Sequence, residues 1–169
     1  MGEPNNFAKA YEPKAVEKTW YSLWHLQGYF RPESNPDGSP YSITIPPPNV
    51  TGELHMGHAL QHAIHDAVVR WKRMQGHRTL CLPGTDHAGI ATQMKVEQQL
   101  YDEEQKVRHD IGRAGLLKRI WGWQERYGTT ILKQLRELGS SYDWSRERFT
   151  MDDEYARAVL EAFVSFYKK

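Results

Sequence analysis

Apolar side chains recur every three to four residues in five stretches of the chain, and this spacing predicts five amphipathic helices. The first opens at Pro13 and ends at Gly28, because proline suits a first helical turn and glycine the residue after a last one. The second runs over residues 56–75, carries an apolar stripe that should face the core, and stops at Gly76. The other three are expected over residues 90–100, over residues 114–138 with a break near Gly128, and after a capping box formed by Thr150 and Asp153.

Two short segments between these helices predict β-strands. Tyr41, Ile43 and Ile45 alternate with polar residues, and residues 78–82 have the composition of a second strand. Prolines follow both segments directly and end the ladder bonding there. A strand, a glycine-bearing turn, a helix and a second strand form the first half of a parallel α/β sheet, in which a right-handed crossover places the two strands side by side.

Composition and charge exclude several classes of protein. The length of 169 residues is close to that of one domain. The 22 Lys and Arg residues and the 21 Asp and Glu residues give a net charge of +1. This charge indicates neither a strongly basic nucleic-acid-binding surface nor a membrane-binding surface. A single cysteine, Cys81, excludes a disulfide framework and a zinc site built on paired thiolates. Because the sequence has no signal peptide and no apolar run of about 20 residues, we expect a cytoplasmic protein without a membrane span.

Four histidines, His55, His58, His62 and His65, share one face of the second predicted helix. A solvated polar face is one interpretation, for His62 and His65 above all, and a metal site is another, although no cysteine or obvious carboxylate completes its ligand set. His55 and His58 lie at the helix start, where free backbone N–H groups and the positive end of the dipole favour phosphate. Their ring N–H groups can donate to oxygens that gain charge during displacement at phosphorus.

The ligand site of a parallel sheet lies beyond the carboxyl ends of its strands, which here are residues 46–58 and 83–92. Three further residues of these segments have a simple interpretation beside any binding role. Asp86 could cap the following helix, Asn49 could be an ordinary turn residue, and Pro47 could only stiffen the loop.

Three blocks of the chain resemble, in order and spacing, the conserved blocks of class I aminoacyl-tRNA synthetases. PPPNVTGELHMGHAL (residues 46–60) is similar to their HIGH signature in the form seen in valyl-tRNA synthetases, PGTDHAGIATQ (residues 83–93) to the second block, and LGSSYDWSRERFTMD (residues 138–152) to the third. Met56 replaces the isoleucine of the signature, and Glu53 stands where a small polar residue is common. Neither departure alters the two histidines.

This resemblance implies an α/β fold, namely a Rossmann-like (HUP-type) parallel sheet half-domain with flanking helices and a C-terminal helical segment. Residues 1–40 would form an N-terminal helix and connector, and residues 41–169 the N-terminal half of the catalytic nucleotide-binding domain, ending before the editing insertion. The second half with its KMSKS loop and the anticodon-binding domain would then be missing. An unpaired strand edge and an exposed apolar face would favour self-association or pairing with the C-terminal half.

The resemblance also implies a reaction, in which the carboxylate of L-valine attacks the α-phosphorus of ATP, accompanied by Mg²⁺, and gives valyl-adenylate for transfer to tRNA(Val). His55 and His58 would bind the triphosphate and stabilise the transition state, and Asp86 would hold the ammonium of valine. The implied positions are His55, Gly57 and His58 for ATP and Pro47, Asn49 and Asp86 for valine, with no metal ligands.

Other functions stay open as alternatives. A synthetase-derived module could bind ATP or an amino acid without turnover, and a related enzyme could prefer isoleucine or leucine, whereas a metal-binding helical protein is a more distant alternative. Trp121, Trp123 and Tyr127 are expected in the core rather than as a stacking platform for RNA. Arg146 and Arg148 would either contact tRNA or form structural ion pairs.

Overall fold

The computed structural model describes residues 10–169, and this part of the chain holds five α-helices and four short β-strands. In chain order these are α1 (Pro13–Leu26), β1 (Pro40–Thr44), α2 (Met56–Met74), β2 (Arg78–Leu82), β3 (Gly84–Thr85), α3 (Gly89–Glu104), α4 (Arg108–Glu137), β4 (Arg148–Phe149) and α5 (Asp153–Lys168). Single 3-10 turns occupy Pro32–Ser34 and Trp144–Arg146. None of the helices in residues 10–169 combines the length and the apolar character that a bilayer-spanning segment requires.

The first two strands form the parallel pair that the sequence predicts. β1 lies beside β2 with Pro40 opposite Arg78 and Thr44 opposite Leu82, and α2 connects the two strands and packs against both. β3 and β4 form a second parallel pair, which was not predicted because two residues are too few to show any periodicity. The α/β class and the parallel arrangement are confirmed.

One hydrophobic core joins α1, α2, the first strand pair and the carboxyl half of α4. Tyr21 and Trp24 of α1 pack against this core, so α1 belongs to the same packed unit as the strands. A smaller contact joins α3 to α4 and buries Val96 and Leu100. The buried members of the main core are Phe30, Ile45, Val50, Val69, Cys81, Ile131, Leu135, Tyr142 and Trp144.

The break in the long fourth helix lies at Gly112 and not near Gly128, where the sequence predicted it. Gly112 has φ 64° and ψ 176°, a backbone conformation outside the helix that glycine adopts without steric cost. Gly128 stays within the continuous part of α4 and is buried. A Cβ at Gly128 would lie 3.2 Å from the amide of Gln124 in the same helix and 3.9 Å from Val50, the latter an ordinary contact with the loop after β1.

The cap of the last helix also differs from the prediction. Asp152 caps α5 by accepting a hydrogen bond from the backbone N–H of Tyr155 at 2.7 Å, so Thr150 and Asp153 form no capping box. The hydroxyl of Thr150 bonds instead to Asp86 and to His87. The prediction failed because a threonine near a helix start has the same sequence signature whether its hydroxyl turns to the helix or away from it.

The apolar stripe of α2 faces outward, contrary to the prediction. Leu60, Ile64 and Trp71 are 65%, 56% and 50% exposed, whereas the buried face carries His62 and Val69. The more polar face packs because the segment before the second 3-10 turn supplies hydrogen-bond partners for it.

Candidate active site

Three segments that are distant in the sequence run side by side beyond the strand ends. The middle segment, residues 83–86, pairs on one side with residues 48–50, and there the Asp86 N–H donates to the carbonyl of Pro48 at 2.8 Å. On its other side it pairs with residues 148–150 through two backbone hydrogen bonds of 3.1 Å. The three blocks that carry the sequence resemblance therefore meet at one edge of the fold.

His55 and His58 occupy the amino end of α2 and cap it with their side chains. Nδ1 of His55 accepts a hydrogen bond from the N–H of Gly57 at 3.1 Å, and Nδ1 of His58 accepts one from the N–H of His55 at 3.3 Å. The centroids of the two rings lie 3.9 Å apart, and the ring planes are tilted by 36° to each other. Since a ring nitrogen that accepts a hydrogen bond carries no proton, each neutral imidazole has its proton on Nε2. Both rings thus keep one N–H donor that the cap does not use.

The surroundings of His58 favour its neutral form. Partial burial, and then the neighbouring ring of His55, lower the pKa of His58 from its ordinary value. The positive end of the α2 dipole acts in the same direction. His55 is exposed and His58 is half-buried, so both rings are accessible from solvent.

Gly57 makes room for the ring of His55. A Cβ at this position would lie 2.9 Å from Cε1 of His55, closer than carbon atoms can approach without a shift of the ring. The space left by the missing side chain is therefore used by the cap, and contact between Gly57 and ATP stays a prediction.

The carboxylate of Asp86 does not cap the next helix. The residue before α3 is Ala88, at φ 51°, and no side chain accepts a hydrogen bond there. Oδ1 of Asp86 instead accepts from the hydroxyl of Thr150 at 2.8 Å and lies 3.3 Å from Nδ1 of His87. Because the side chain is 32% exposed, the carboxylate is open to an external cation.

The structure brings two of the three residues assigned to valine together. Asn49 and Asp86 form an isolated parallel β-bridge, and Pro47 lies half-buried two residues before Asn49. His55 and His58 form a separate cluster further along the same connection from β1 to α2. The predicted residues are thus arranged as two groups. Pro47 and Asn49 lie at the start of the β1–α2 loop with Asp86 paired to it from the segment after β2, and the histidines lie at the end of that loop, where α2 begins.

Two side chains of α4 hold this loop, and sequence reasoning missed their role. Nε1 of Trp123 donates to the carbonyl of Val50 at 2.7 Å, and Oε1 of Gln134 accepts from the N–H of Leu54 at 2.9 Å. The only signal available was that a half-buried indole N–H needs an acceptor. The loop between the two site groups is therefore fixed at both ends by the same helix.

The aromatic residues of α4 are less buried than predicted. Trp121 is 50% exposed and meets Phe149 edge-on, with 6.3 Å between ring centroids. Trp123 and Tyr127 are half-buried and pack on each other at 4.3 Å. A core position is therefore wrong for Trp121 and holds in part for the other two.

Arg146 and Arg148 both form ion pairs. Arg146 bridges the buried carboxylate of Asp143 and, at 2.5 Å, the exposed one of Glu33. Arg148 pairs with Glu154 at 2.6 Å. Of the two interpretations from the sequence, the structural ion pair is the one that these contacts support.

His62 is fully buried, so a solvated face is the wrong interpretation for this residue. Its Nδ1 lies 3.0 Å from the hydroxyl of Tyr142, and burial, followed by the neighbouring His65 and His58, lowers its pKa to about 4. Among the described residues, no three His, Cys, Asp or Glu side chains converge as ligands of a metal ion.

A cavity of about 1040 Å³ lies elsewhere, between α1 and the carboxyl end of α4. Trp20, Trp24, Arg70 and Arg136 are among the residues that line it, and none of the predicted site residues does. The candidate site is therefore identified by its chemistry and not by the size of a pocket.

Comparisons with known protein families and sequences support the resemblance that the three blocks carry. A family model described as tRNA synthetases class I (I, L, M and V) matches residues 19–169. The chain is 56% identical over 164 residues to a valine–tRNA ligase of Geobacter sulfurreducens and 51% identical over 165 residues to mitochondrial valine–tRNA ligase 1 of Arabidopsis thaliana. These alignments cover 96% and 98% of this chain but 18% and 15% of the two relatives.

A solved structure matches the fold. The agnB2 LeuRS of Agrobacterium radiobacter K84, in a ternary complex with tRNA and LeuAMS, is similar with a TM-score of 0.74 and 18% sequence identity over 94% of this chain and 18% of that chain. At this identity the likeness concerns the fold, which is Rossmann-like. The chain spans less than a fifth of the length of each of these relatives.

Proposed function

This chain belongs to the class I tRNA synthetases, and on that premise we propose that it binds ATP and L-valine and forms valyl-adenylate as the N-terminal catalytic part of a valine–tRNA ligase. Relatives named valine–tRNA ligase are 50–56% identical to it, which supports valine over the other amino acids of the family. The observation that carries the proposal is the amino end of α2, where two neutral imidazoles keep their Nε2–H donors free.

The triphosphate of ATP lies, in this proposal, against the amino end of α2. The Nε2–H groups of His55 and His58 donate to phosphate oxygens, and the free backbone N–H groups and the dipole of α2 add to the attraction. Mg²⁺ enters with the phosphates as their counterion, because the described residues supply no cluster of acidic ligands for it.

The reaction is a displacement at the α-phosphorus of ATP. A carboxylate oxygen of valine forms the new bond to phosphorus while the bond to the bridging oxygen of the β-phosphate breaks, and pyrophosphate leaves with that electron pair. Negative charge rises on the α-phosphate oxygens, where placed N–H donors stabilise the transition state. The protein contributes position and electrostatics and forms no covalent bond to the substrate.

The amino acid is held, in the same proposal, by the group around Asp86. Its carboxylate accepts the ammonium of valine, while Pro47 and Asn49 line the site for the rest of the molecule. Without editing, a pocket that fits valine rejects an isosteric analogue that carries a hydroxyl by only about 10²-fold. Threonine should therefore be activated as well.

The organisation of the longer enzyme follows from the same premise. We assign residues 41–169 to the N-terminal half of the nucleotide-binding domain and residues 1–40 to the helix and connector before it. Because the chain spans 15–18% of the relatives' lengths, binding of tRNA(Val) and transfer of valine are proposed for the longer enzyme. The exposed apolar faces of α2 and α5 would then contact the remaining parts of that enzyme or a second copy of this chain.

Valine-dependent exchange of pyrophosphate into ATP tests this proposal. We expect exchange with valine, and exchange with threonine that is slower by no more than about 10²-fold. The His58→Asn variant, which keeps a cap acceptor but lacks the Nε2–H, should lose about 10²-fold or more of the valine-dependent exchange rate. His25→Asn on α1 is the matched control, since that imidazole is exposed and distant from the site in sequence.

The alternatives give different results in the same assay. Binding of ATP and valine without exchange would indicate a non-catalytic module, and faster exchange with isoleucine or leucine would indicate a relative of different specificity. Equal activity of the His58→Asn variant and the unmodified chain would contradict the role given to α2.

A further inference from the structure

Three hydrogen-bonding groups converge on the hydroxyl of Thr150. It donates to Oδ1 of Asp86 at 2.8 Å and accepts from the backbone N–H of His87 at 2.9 Å. Nδ1 of His87 lies 2.7 Å from the same oxygen. Thr150 comes from the third block of the chain, whereas Asp86 and His87 come from the second.

The single hydroxyl proton decides how these contacts are arranged. The hydroxyl of Thr150 uses its only hydrogen to donate a hydrogen bond to the carboxylate. Nδ1 of His87 must therefore be the donor in its own contact with Oγ1. The hydroxyl then has one donor bond and two acceptor bonds, which is its full capacity. Thr150 thereby fixes both the orientation of the Asp86 carboxylate and the proton position on His87.

The carboxylate is held by a neutral group. Among residues 10–169, His87 is the one basic side chain within 4 Å of Asp86. The guanidinium of Arg148, although close in sequence to Thr150, turns to Asp152 and Glu154. A carboxylate oriented by a hydroxyl keeps its negative charge for an incoming cation, whereas an arginine partner would neutralise it.

We propose that Thr150 is a positioning residue, which orients the Asp86 carboxylate so that the site selects ligands with an ammonium group. This inference rests on the proposed function in one respect, namely that Asp86 meets the ammonium of an amino acid. The backbone of β4 is fixed independently, since the Thr150 N–H donates to the carbonyl of Thr85 at 3.1 Å. Removal of the hydroxyl should therefore leave the fold intact.

The experiment compares Thr150→Val, which has the same shape without a hydroxyl, with Thr150→Ser, which restores it. Thr129→Val is the control, because that hydroxyl bonds only to the carbonyl of Glu125 in its own helix. Titration calorimetry measures binding of L-valine and of 2-hydroxyisovalerate, which lacks the ammonium. Nitrogen NMR of the His87 ring reports which nitrogen carries the proton, and it needs neither binding nor turnover.

We expect Thr150→Val to weaken valine binding at least tenfold, leave 2-hydroxyisovalerate within twofold, and shift the Nδ1–H signal of His87, because the remaining acceptor is Oδ1 of Asp86 at 3.3 Å. Thr150→Ser should recover both, and Thr129→Val should change neither. An equal loss for both ligands would reduce Thr150 to a structural residue and overturn the proposal, as would an unmodified His87 without a proton on Nδ1. Absence of valine binding in the unmodified chain, with the NMR result as expected, would instead contradict the proposed function.

Discussion

The imidazole of His62 links the stability of the molecule to pH. In the unfolded chain it gains a proton near the ordinary value of 6.5, whereas in the folded chain burial and the nearby His65 and His58 lower its pKa to about 4. Between these values the unfolded state binds more protons, so the free energy of unfolding rises with pH. The contribution of His62 is complete above about pH 6.5 and is lost as the pH falls toward 4, by an amount of about 3 kcal/mol.

Urea unfolding at pH 7 and pH 4.5 measures this dependence. The His62→Asn variant, whose amide can still meet the hydroxyl of Tyr142, should lose less stability on acidification than the unmodified chain. His25→Asn, on the exposed side of α1, should lose as much as the unmodified chain. An identical pH dependence for His62→Asn and the unmodified chain would contradict the burial of this ring.

The two arginines of the third block should differ in their effect on stability. Arg146 compensates the carboxylate of Asp143, which is 1% exposed, so Arg146→Ala leaves a buried charge and should cost about 2 kcal/mol. Arg148 pairs with the exposed Glu154, and Arg148→Ala should cost less than about 1 kcal/mol. Thermal and urea unfolding of both variants measure the difference, and equal losses would contradict it.

At the scale of residues, the sequence identifies groups whose chemistry depends on position along a helix. The spacing of His55 and His58 before an apolar-patterned segment was sufficient to place them at a helix start, and the structure has them there. Thr150 could not be assigned in this way, because its partners lie more than 60 residues away in the chain. The burial of His62 was missed for the same reason, since its partner Tyr142 lies 80 residues further on.

The pairing of β3 with β4 depends on the absence of a side chain at Gly84. A Cβ there would lie 2.6 Å from the carbonyl oxygen of Arg148, which is backbone and cannot move aside alone. We expect Gly84→Ala to destabilise the fold by about 1–3 kcal/mol and to weaken valine binding, since β4 carries the chain to Thr150.

Gly122 provides the matched comparison for this substitution. It lies within α4 with open space around its Cβ position, so Gly122→Ala should stabilise the protein by about 0.5–1 kcal/mol through helix propensity. Calorimetric unfolding of both variants measures whether each substitution raises or lowers the stability of the fold. A stabilising Gly84→Ala would contradict the strand pairing.

At the scale of elements, helices and five-residue strands were predictable from their patterns, whereas two-residue strands were not. The positions of α1, α2, β2 and the end of α4 follow from apolar spacing, proline and glycine. β3 and β4 are two residues each and arise from tertiary pairing alone. The apolar pattern of α2 also did not predict which face of the helix is buried. Hydrogen bonds from a distant segment outweigh the apolar stripe in this chain.

Residues 10–169 expose large apolar side chains on all five helices, those of α5 and α2 among them. α5 buries none of its residues, and Phe163 and Phe166 are 70% and 78% exposed, while the stripe of α2 is more than half exposed at Leu60 and Ile64. Surfaces of this kind are normally covered by a partner. We therefore expect the chain to elute above its monomer mass and to increase the fluorescence of the hydrophobic dye ANS.

Charged substitutions on α2 test which surface is responsible. The Leu60→Lys, Ile64→Lys double variant should reduce both the apparent mass and the ANS signal, whereas Lys18→Glu on α1 should change neither. A compact monomer that does not bind ANS would contradict the expectation.

For the molecule as a whole, the sequence predicted the class of fold and the meeting of the first two blocks, because a parallel sheet brings strand ends to one edge. The sequence did not predict that the third block joins them, because β3 and β4 pair over only two residues each. It could not predict the tight packing of α1 into the core through Tyr21 and Trp24, or the support of the site loop by α4. These contacts join side chains of elements that are distant in the sequence, and local sequence patterns do not predict such contacts.

The central claim, that the amino end of α2 binds the triphosphate through two neutral imidazoles, is tested most directly by titrating the chain with Mg·ATP while nitrogen NMR follows the rings of His55 and His58. The account predicts saturable binding that shifts the Nε2 resonances of both rings and weakens at least tenfold when His55 and His58 are both replaced by asparagine. Binding that leaves both rings unperturbed, or an affinity unchanged by the double replacement, would contradict it.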